Sequence, residues 1–417
     1  MSLLLLGVLS LSLMGRPVAA DSAKTNVVVR VVNSSGSTAS TTAAPMIPAT
    51  STFEVVSVPS SEPASPPLSP SLSSPSEAPS STAAAHVPLP AEVRGIYLTG
   101  YTAASSRMDS LLAYVSSSHL NTVVIDLKLD DGVPTFALQT PSLKESSPLH
   151  PVIHDLDGLL VHLKDRGIYR IARIAVMRDK AFGEHHPELV LRTASGAVWH
   201  DSSGMVWLDP ASPKVSDYDI ALAQEAYARG FDEVQFDYVR FASDGALSTI
   251  RFPVYDGKEK KVDVMQKFFT KVGGTLNAAH IPVSFDLFGL TFWSEDGLGI
   301  GQRVSDVYPV ANFVSPMVYP SHYANGFQGF ANPANYPYEV VKRSLDKGVE
   351  TLSPYVTSTD PIIERQKFRP WIQDFNLGAT YDASKVKAQI KAARDAGASG
   401  WLIWNARNVY TKLDYSK

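Results

Sequence analysis

The stretch Phe231–Phe241, FDEVQFDYVRF, is a strand with too much charge for an ordinary core element. With period two, Glu233, Gln235 and Asp237 share one face, while Val234, Phe236 and Tyr238 share the other. Such a strand is either wet on one side or lines the inside of a barrel, and the flanking sequence decides which. Seven more strand-like runs occupy 93–100, 122–129, 169–177, 282–290, 312–319, 369–375 and 400–406. Helix-period segments separate them: Met108–Ser118, Leu156–Arg166, Val215–Arg229, Val262–Ala279, Tyr338–Lys347 and Ser384–Ala396, with a further short helix expected over Leu298–Val307. Glycines just past several of these (Gly167, Gly230, Gly348, Gly397) read as helix stops. Eight strands alternating with helices predict a closed (β/α)8 TIM barrel. A doubly wound sheet would want a Gly-rich turn after the first strand, and TGYTAASSR is not one.

The remainder of the 417 residues is of another kind. The apolar run 3–14, followed by Pro17-Val18-Ala19-Ala20, predicts a signal peptide over 1–20, or an N-terminal anchor if it is not cleaved. A Ser/Pro/Thr/Ala-rich stretch follows, and 21–90 is expected to be a disordered linker, with the barrel at 91–417. The protein is accordingly expected to be exported, extracellular or attached to the cell envelope, and to meet a membrane only through an uncleaved N-terminal segment. The absence of cysteine excludes thiol nucleophiles and Cys-based metal sites. A net charge of −4 without a basic block argues against nucleic-acid binding.

In a barrel the face opposite the helices is the interior. Period two then directs Asp126, Lys128, Arg173, Glu233, Asp237 and Asp286 inward. Burying so many charges is costly unless they pair, and Glu233 with Lys128 or Arg173 is expected to do so as scaffolding. Asp237 and Asp286 fall near the C-terminal ends of neighbouring strands, where barrel enzymes work. Two carboxyl groups facing one cleft, with cations to split their proton affinities, is the arrangement that glycosidic cleavage requires. The loops after the strands supply rings and polar tips suited to sugars, including Trp207, Trp293, Tyr319, His322 and Trp404.

The segment WLDPASPKVSDYDIALAQEAYARGFDEVQFDYVRFASDG, with VVIDLKLDDG before it and SPMVYPSHYANG and RPWIQDF after it, resembles a family of exported glycosyl-hydrolase-like TIM barrels related to α-amylase-type enzymes. The resemblance covers residues 91–410 and implies a glycosidase acting on a poly- or oligosaccharide without a cofactor. It matches Asp237 to the nucleophile at the end of the fourth strand and Asp286 to the acid/base, where the relatives carry Glu. Asp374 lies near a third carboxylate, and Glu295 or Asp296 are alternatives for the acid. Asp126, Lys128, Arg173, Trp207, Tyr238, Arg240, Trp293, Tyr319, His322, Gln373, Trp404 and Asn405 are the expected substrate contacts. Two other readings exist. A barrel of this kind could bind cell-wall glycan without cutting it. Leu129-Asp130-Asp131-Gly132 and the pair His150/His154 resemble elements of metal-dependent polysaccharide deacetylases, although Pro151 breaks the helix that would align the histidines. No resident metal is expected; a Ca²⁺ at Asp130 and Asp131 would be the one candidate.

Overall fold

The computed structural model describes residues 85–355 and 367–416. The expected leader and nearly all of the expected linker lie outside the described residues. Eight parallel strands close into a barrel in sequence order: β1 Val93–Leu98, β2 Thr122–Lys128, β3 Tyr169–Ala175, β4 Glu233–Asp237, β5 Val283–Phe288, β6 Phe313–Met317, β7 Trp371–Gln373 and β8 Gly400–Trp404. The (β/α)8 expectation holds. The strands are shorter than their apolar runs, mostly at the C-terminal end, where the chain leaves the ladder to build the mouth.

The outer wall is apolar because helices pack against it. Val123, Ile125, Leu127, Val234, Phe236, Phe285 and Leu287 join one core cluster with the helices. The principal helices span Arg107–Ser117, Leu156–Lys164, Pro213–Arg229, Lys261–Ala278, Pro337–Leu352 and Ala383–Asp395. Their ends follow local chemistry. Asp155 and Asp382 cap by accepting first-turn N–H groups, and Gly230 ends its helix in the left-handed region at φ 117°. Of the expected short helix, only Val304–Val307 forms, preceded by a 3₁₀ turn at Gly297–Gly299. A smaller cluster, including Tyr97, Val124, Tyr169, Ile171, Tyr319, Trp371 and Leu402, fills the barrel interior.

The folded part begins earlier than the expected boundary at 91. Val87 N–H donates to Asp232 Oδ1 (2.7 Å), Arg170 Nη2 donates to Ala85 O (3.2 Å), and His86 stacks on Tyr227 (4.1 Å). Asp232 immediately precedes β4 and Arg170 is the second residue of β3, so residues 85–90 lie across the N-terminal end of the barrel. The bidentate Arg170–Asp232 pair supplies an acceptor, Asp232 Oδ1, and a donor, Arg170 Nη2, that make this short polar-and-Pro stretch adhere.

One irregularity redirects a predicted interior residue. The β2–β3 register shifts between Asp126, which pairs with Arg173, and Lys128, which pairs with Ile174. This bulge places an extra residue on β2 and turns Lys128 to the outside of the barrel. There its ammonium donates to Asp179 Oδ2 and Asp219 Oδ1, both at 2.8 Å, and all three side chains are fully buried. Asp219 comes from helix Pro213–Arg229, so the triad bolts that helix to the wall. Lys128 is a structural cation, not a substrate contact. Lys128→Met, which orphans two buried carboxylates, is expected to cost about 3–5 kcal/mol. Urea unfolding will read this loss, and glycan affinity of the folded fraction should not change.

Candidate active site

The site grows from β4. Glu233, Gln235 and Asp237 point into the barrel at rising levels, and each level is satisfied differently. At the base, Arg369 chelates Glu233 through Nη1 (3.0 Å) and Nη2, Ser284 Oγ donates at 2.6 Å, and Tyr169 adds its hydroxyl. Glu233 is scaffolding as expected, but its cation is Arg369 rather than Lys128 or Arg173. One level up, Gln235 Nε2 donates to Ser315 Oγ (3.1 Å). At the mouth, Arg173 from β3 donates to Asp237 Oδ2 through Nη2 (2.6 Å) and Nε (3.1 Å), and to Asp126 Oδ1 through Nη1 (2.6 Å). Asp126 also accepts the Tyr97 hydroxyl (2.5 Å). Burial pushes the Asp126 carboxyl up to about 6, against the pull of Arg173.

Asp237 Oδ1 accepts the Tyr238 backbone N–H at 2.6 Å. That bond depends on a strained residue: Tyr238 takes φ 54°, in the left-handed region, which for a bulky side chain costs on the order of 1–3 kcal/mol. The turn ends β4 at Asp237. It carries the Tyr238 hydroxyl to Asp130 Oδ2 (3.3 Å) and within reach of Arg178 Nη1 (3.0 Å). Both oxygens of Asp237 are therefore acceptors in a donor cage, the role of a carboxylate.

Asp286 is its neighbour on β5. The register pairs Phe236 with Phe285, so the next level sets Asp237 beside Asp286, one strand spacing of about 4.8 Å apart. The only donor on Asp286 among the described residues is Trp371 Nε1 (2.8 Å). Burial, and then repulsion from Asp237, push the Asp286 carboxyl well above its ordinary range. Tyr319 lies against the same two carboxylates, and burial raises its hydroxyl as well. An aromatic wall surrounds the pair: Trp404 stacks on Tyr97 (4.0 Å) and meets Trp371 edge-on (5.5 Å), while Tyr319 packs edge-on against His322 (5.1 Å) and Phe375 (5.7 Å). Burial lowers His322 to about 4, so its ring is neutral at pH 7.

The structure thus brings together Asp126, Arg173, Asp237, Tyr238, Asp286, Tyr319, His322 and Trp404. Gln373 shares the inward face with Trp371, and its side chain bridges Ser321 N–H and Phe375 O. Other expected members lie elsewhere. Asp374 points the other way, and its two oxygens accept the Thr411 hydroxyl and N–H (both 2.7 Å), which fastens the C-terminal segment. Asn405 donates to Asp374 O and Val409 O, tying the same segment. Trp207 is fully buried and donates to Asp201 Oδ2 (2.9 Å), so it is a plug rather than a sugar platform. Trp293 packs edge-on with Tyr323 and Phe327 in the loop after β5. Glu295 and Asp296 in that loop are exposed. Asp130 serves Arg173 (3.4 Å) and Tyr238, and Asp131 caps Val133 N–H, so the two side chains are engaged separately. His150 and His154 lie in an irregular segment, and among the described residues no three His, Asp or Glu side chains converge on a metal position.

Sequence reading missed Tyr97, Trp371 and Arg178. Tyr97 lies in phase with Val93 and Gly95 on β1 and was legible by the same period-two rule. Trp371 is buried, and its indole N–H is what Asp286 leans on.

A family model described as "Putative glycosyl hydrolase domain" (DUF4015) matches residues 95–410. The chain belongs to this family. The barrel of this glycosyl hydrolase-like domain is similar to the glycoside hydrolase domain of PgaB (BpsB) from Bordetella bronchiseptica. That match has 15% identity and a TM-score of 0.51, and covers 75% of this chain and 94% of the other. A hypothetical protein from Ruminiclostridium thermocellum is 28% identical over 46% of this chain and 96% of its own, with a TM-score of 0.41. The spore cortex-lytic enzyme SleL of Bacillus megaterium matches at 12% identity and a TM-score of 0.45, covering 76% and 71%. No curated protein matches the sequence.

The raised Asp286 has a consequence for stability. Its folded proton affinity exceeds the ordinary 3.8, so above that pH the native state holds a proton that the unfolded chain releases. Its contribution is complete below pH 4 and is lost as pH rises through the raised value, at up to about 1.4 kcal/mol per pH unit. Asp286→Asn, which mimics the protonated acid, should therefore gain stability relative to the wild type as pH increases from 4 to 8. Paired thermal melts across that range will show it.

Proposed function

We propose that the barrel mouth hydrolyses O-glycosidic bonds of a poly- or oligosaccharide by a two-carboxylate mechanism. The observation that carries this reading is the contrast between neighbours: Asp237 held as an acceptor by Arg173 and the Tyr238 N–H, Asp286 shielded and driven to keep its proton. Asp237 attacks the anomeric carbon as the bond to the leaving oxygen breaks, and Asp286 gives that oxygen its proton. The resulting Asp286 carboxylate then takes a proton from water, which opens the glycosyl ester and restores Asp237. Arg173 supports both stages, because Asp126 keeps it charged and in place when Asp237 becomes an ester. Trp404, Tyr97, Tyr319 and His322 offer ring faces to the sugar. Family membership supports the same reaction class. The N-terminal apolar run and the Ser/Pro-rich stretch support an exported protein acting at or outside the envelope.

Asp237 as nucleophile implies the retaining course, whose carboxyl groups stand about 5–5.5 Å apart, rather than the inverting one at about 6.5–9.5 Å. On a panel of oligosaccharides and aryl glycosides, Asp237→Asn is expected to lower hydrolysis about 10²–10⁴-fold with every leaving group. Asp286→Asn should do so for oligosaccharides; with aryl glycosides, whose leaving group needs no proton, it should spare the initial burst of released phenol and slow only the steady state, because opening the ester still needs the base. ¹H NMR of the first-formed product should show retained anomeric configuration. Undiminished product from Asp237→Asn would refute the assignment. Glycan binding by the wild type with no product would leave a carbohydrate-binding barrel in its place.

A further inference from the structure

Five arginines are buried among the described residues: Arg170, Arg173, Arg178, Arg240 and Arg369. Four of them have a carboxylate at ion-pair distance: Asp232 for Arg170, Asp126 and Asp237 for Arg173, Asp201 for Arg178, and Glu233 for Arg369. Arg240 is the exception. It is 3% exposed, and its Nη1 donates to Phe241 O (3.1 Å) and Ser243 Oγ (2.9 Å). Nε and Nη2, the edge of the guanidinium that takes a carboxylate in bidentate fashion, have no acceptor among the described residues. Neither atom is among the sealed, unsatisfied ones, so neither is wholly closed off from solvent.

The surroundings fit a receptor. Three rings bracket the guanidinium, Trp207 and Phe288 at 4.8 Å and Tyr238 at 5.3 Å from its carbon. They hold it flat and rigid, with its free edge set. Those rings come from the loop after β3, the end of β4 and the end of β5, so Arg240 stands at the mouth. Its charge is felt at Asp237, whose oxygens are already committed to Arg173 and Tyr238 N–H. Arg178 lies close enough to repel it. A buried cation beside another cation, with Asp237 and Asp244 near but neither at ion-pair distance, is costly until an anion arrives.

We propose that Arg240 receives a carboxylate carried by the substrate, so that the glycan handled at this mouth is acidic, with a uronic acid seated beside Asp237. This rests on the mouth being the sugar site, and it adds the class of sugar. A planar carboxylate matches the free Nε–Nη2 edge as two parallel hydrogen bonds.

The test is calorimetric binding to the full chain at constant ionic strength, using oligomers of glucuronic and galacturonic acid and the same oligomers after carboxyl reduction to the neutral sugars. The acidic oligomer should bind about 10-fold or more tightly than its reduced form, the loss expected when a charged hydrogen-bond pair is removed. Arg240→Met should abolish that preference, so that the acidic and reduced oligomers bind alike. Arg240→Lys, a point charge without the fork, should restore only part of it, and it serves in place of Arg240→Met if that variant does not fold. Equal affinity for acidic and reduced oligomers, or an undiminished preference in Arg240→Met, would overturn the proposal. A sulfated oligosaccharide without uronic acid that binds as tightly as the uronate would overturn the carboxylate assignment. Because acid preference and product formation are read in separate assays, the two readings fail separately. Acid-selective binding with no product would retract hydrolysis alone, and hydrolysis of neutral glycans without acid preference would retract the role of Arg240 alone.

Discussion

Everything at the mouth of this barrel depends on Arg173. One guanidinium joins Asp126 on β2 to Asp237 on β4, reaches Asp130 beyond β2, and lies over the rings of Tyr97, Tyr238 and Trp404. Carboxylates this close and this buried could not coexist without it. Because the cation favours Asp237 and Asp126, and Asp286 has only an indole N–H, burial falls on Asp286 as a proton it keeps. The asymmetry between two chemically identical side chains follows from which of them the arginine reaches.

The other buried charges show by contrast what scaffolding looks like. Glu233 with Arg369 at the base, Lys128 with Asp179 and Asp219 outside the wall, and Arg170 with Asp232 below the barrel are closed sets. The two arginine pairs neutralise themselves, the Lys128 set carries one carboxylate more than its cation, with burial pushing Asp219 up to about 7, and each set ties one element to another. The open members are Asp286 and Arg240, and both lie at the C-terminal end of the strands, where this fold works. Tyr238 adds backbone strain at the same place. Departures from local self-consistency gather where function is expected.

The barrel and the inward set Asp126, Arg173, Glu233, Asp237 and Asp286 were legible because period two is rigid inside a paired strand. Reading failed wherever the ladder ended or slipped. A bulge that no residue type announces turned Lys128 outward. A left-handed Tyr238 ended β4 four residues before its apolar run did, which put Arg240 out of phase and into the mouth. Gln373 and Asp374 were a coin toss in a three-residue strand, and the C-terminal segment, through Thr411, took Asp374 and Asn405. Trp207 looked like a sugar platform by composition, yet Asp201 and Arg178 draw it into the core. Pair partners across the barrel, such as Arg369 for Glu233, lie 136 residues apart and leave no local trace.

The central claim is that Asp237 and Asp286 are one electrostatically coupled pair. Carboxyl ¹³C NMR of aspartate-labelled protein, titrated with and without Asp237→Asn, tests it most directly. Asp286 should titrate well above the ordinary aspartate range in the wild type and move down when the neighbouring charge is removed. An Asp286 that titrates as an ordinary carboxylate, or whose midpoint ignores the substitution, would contradict the account.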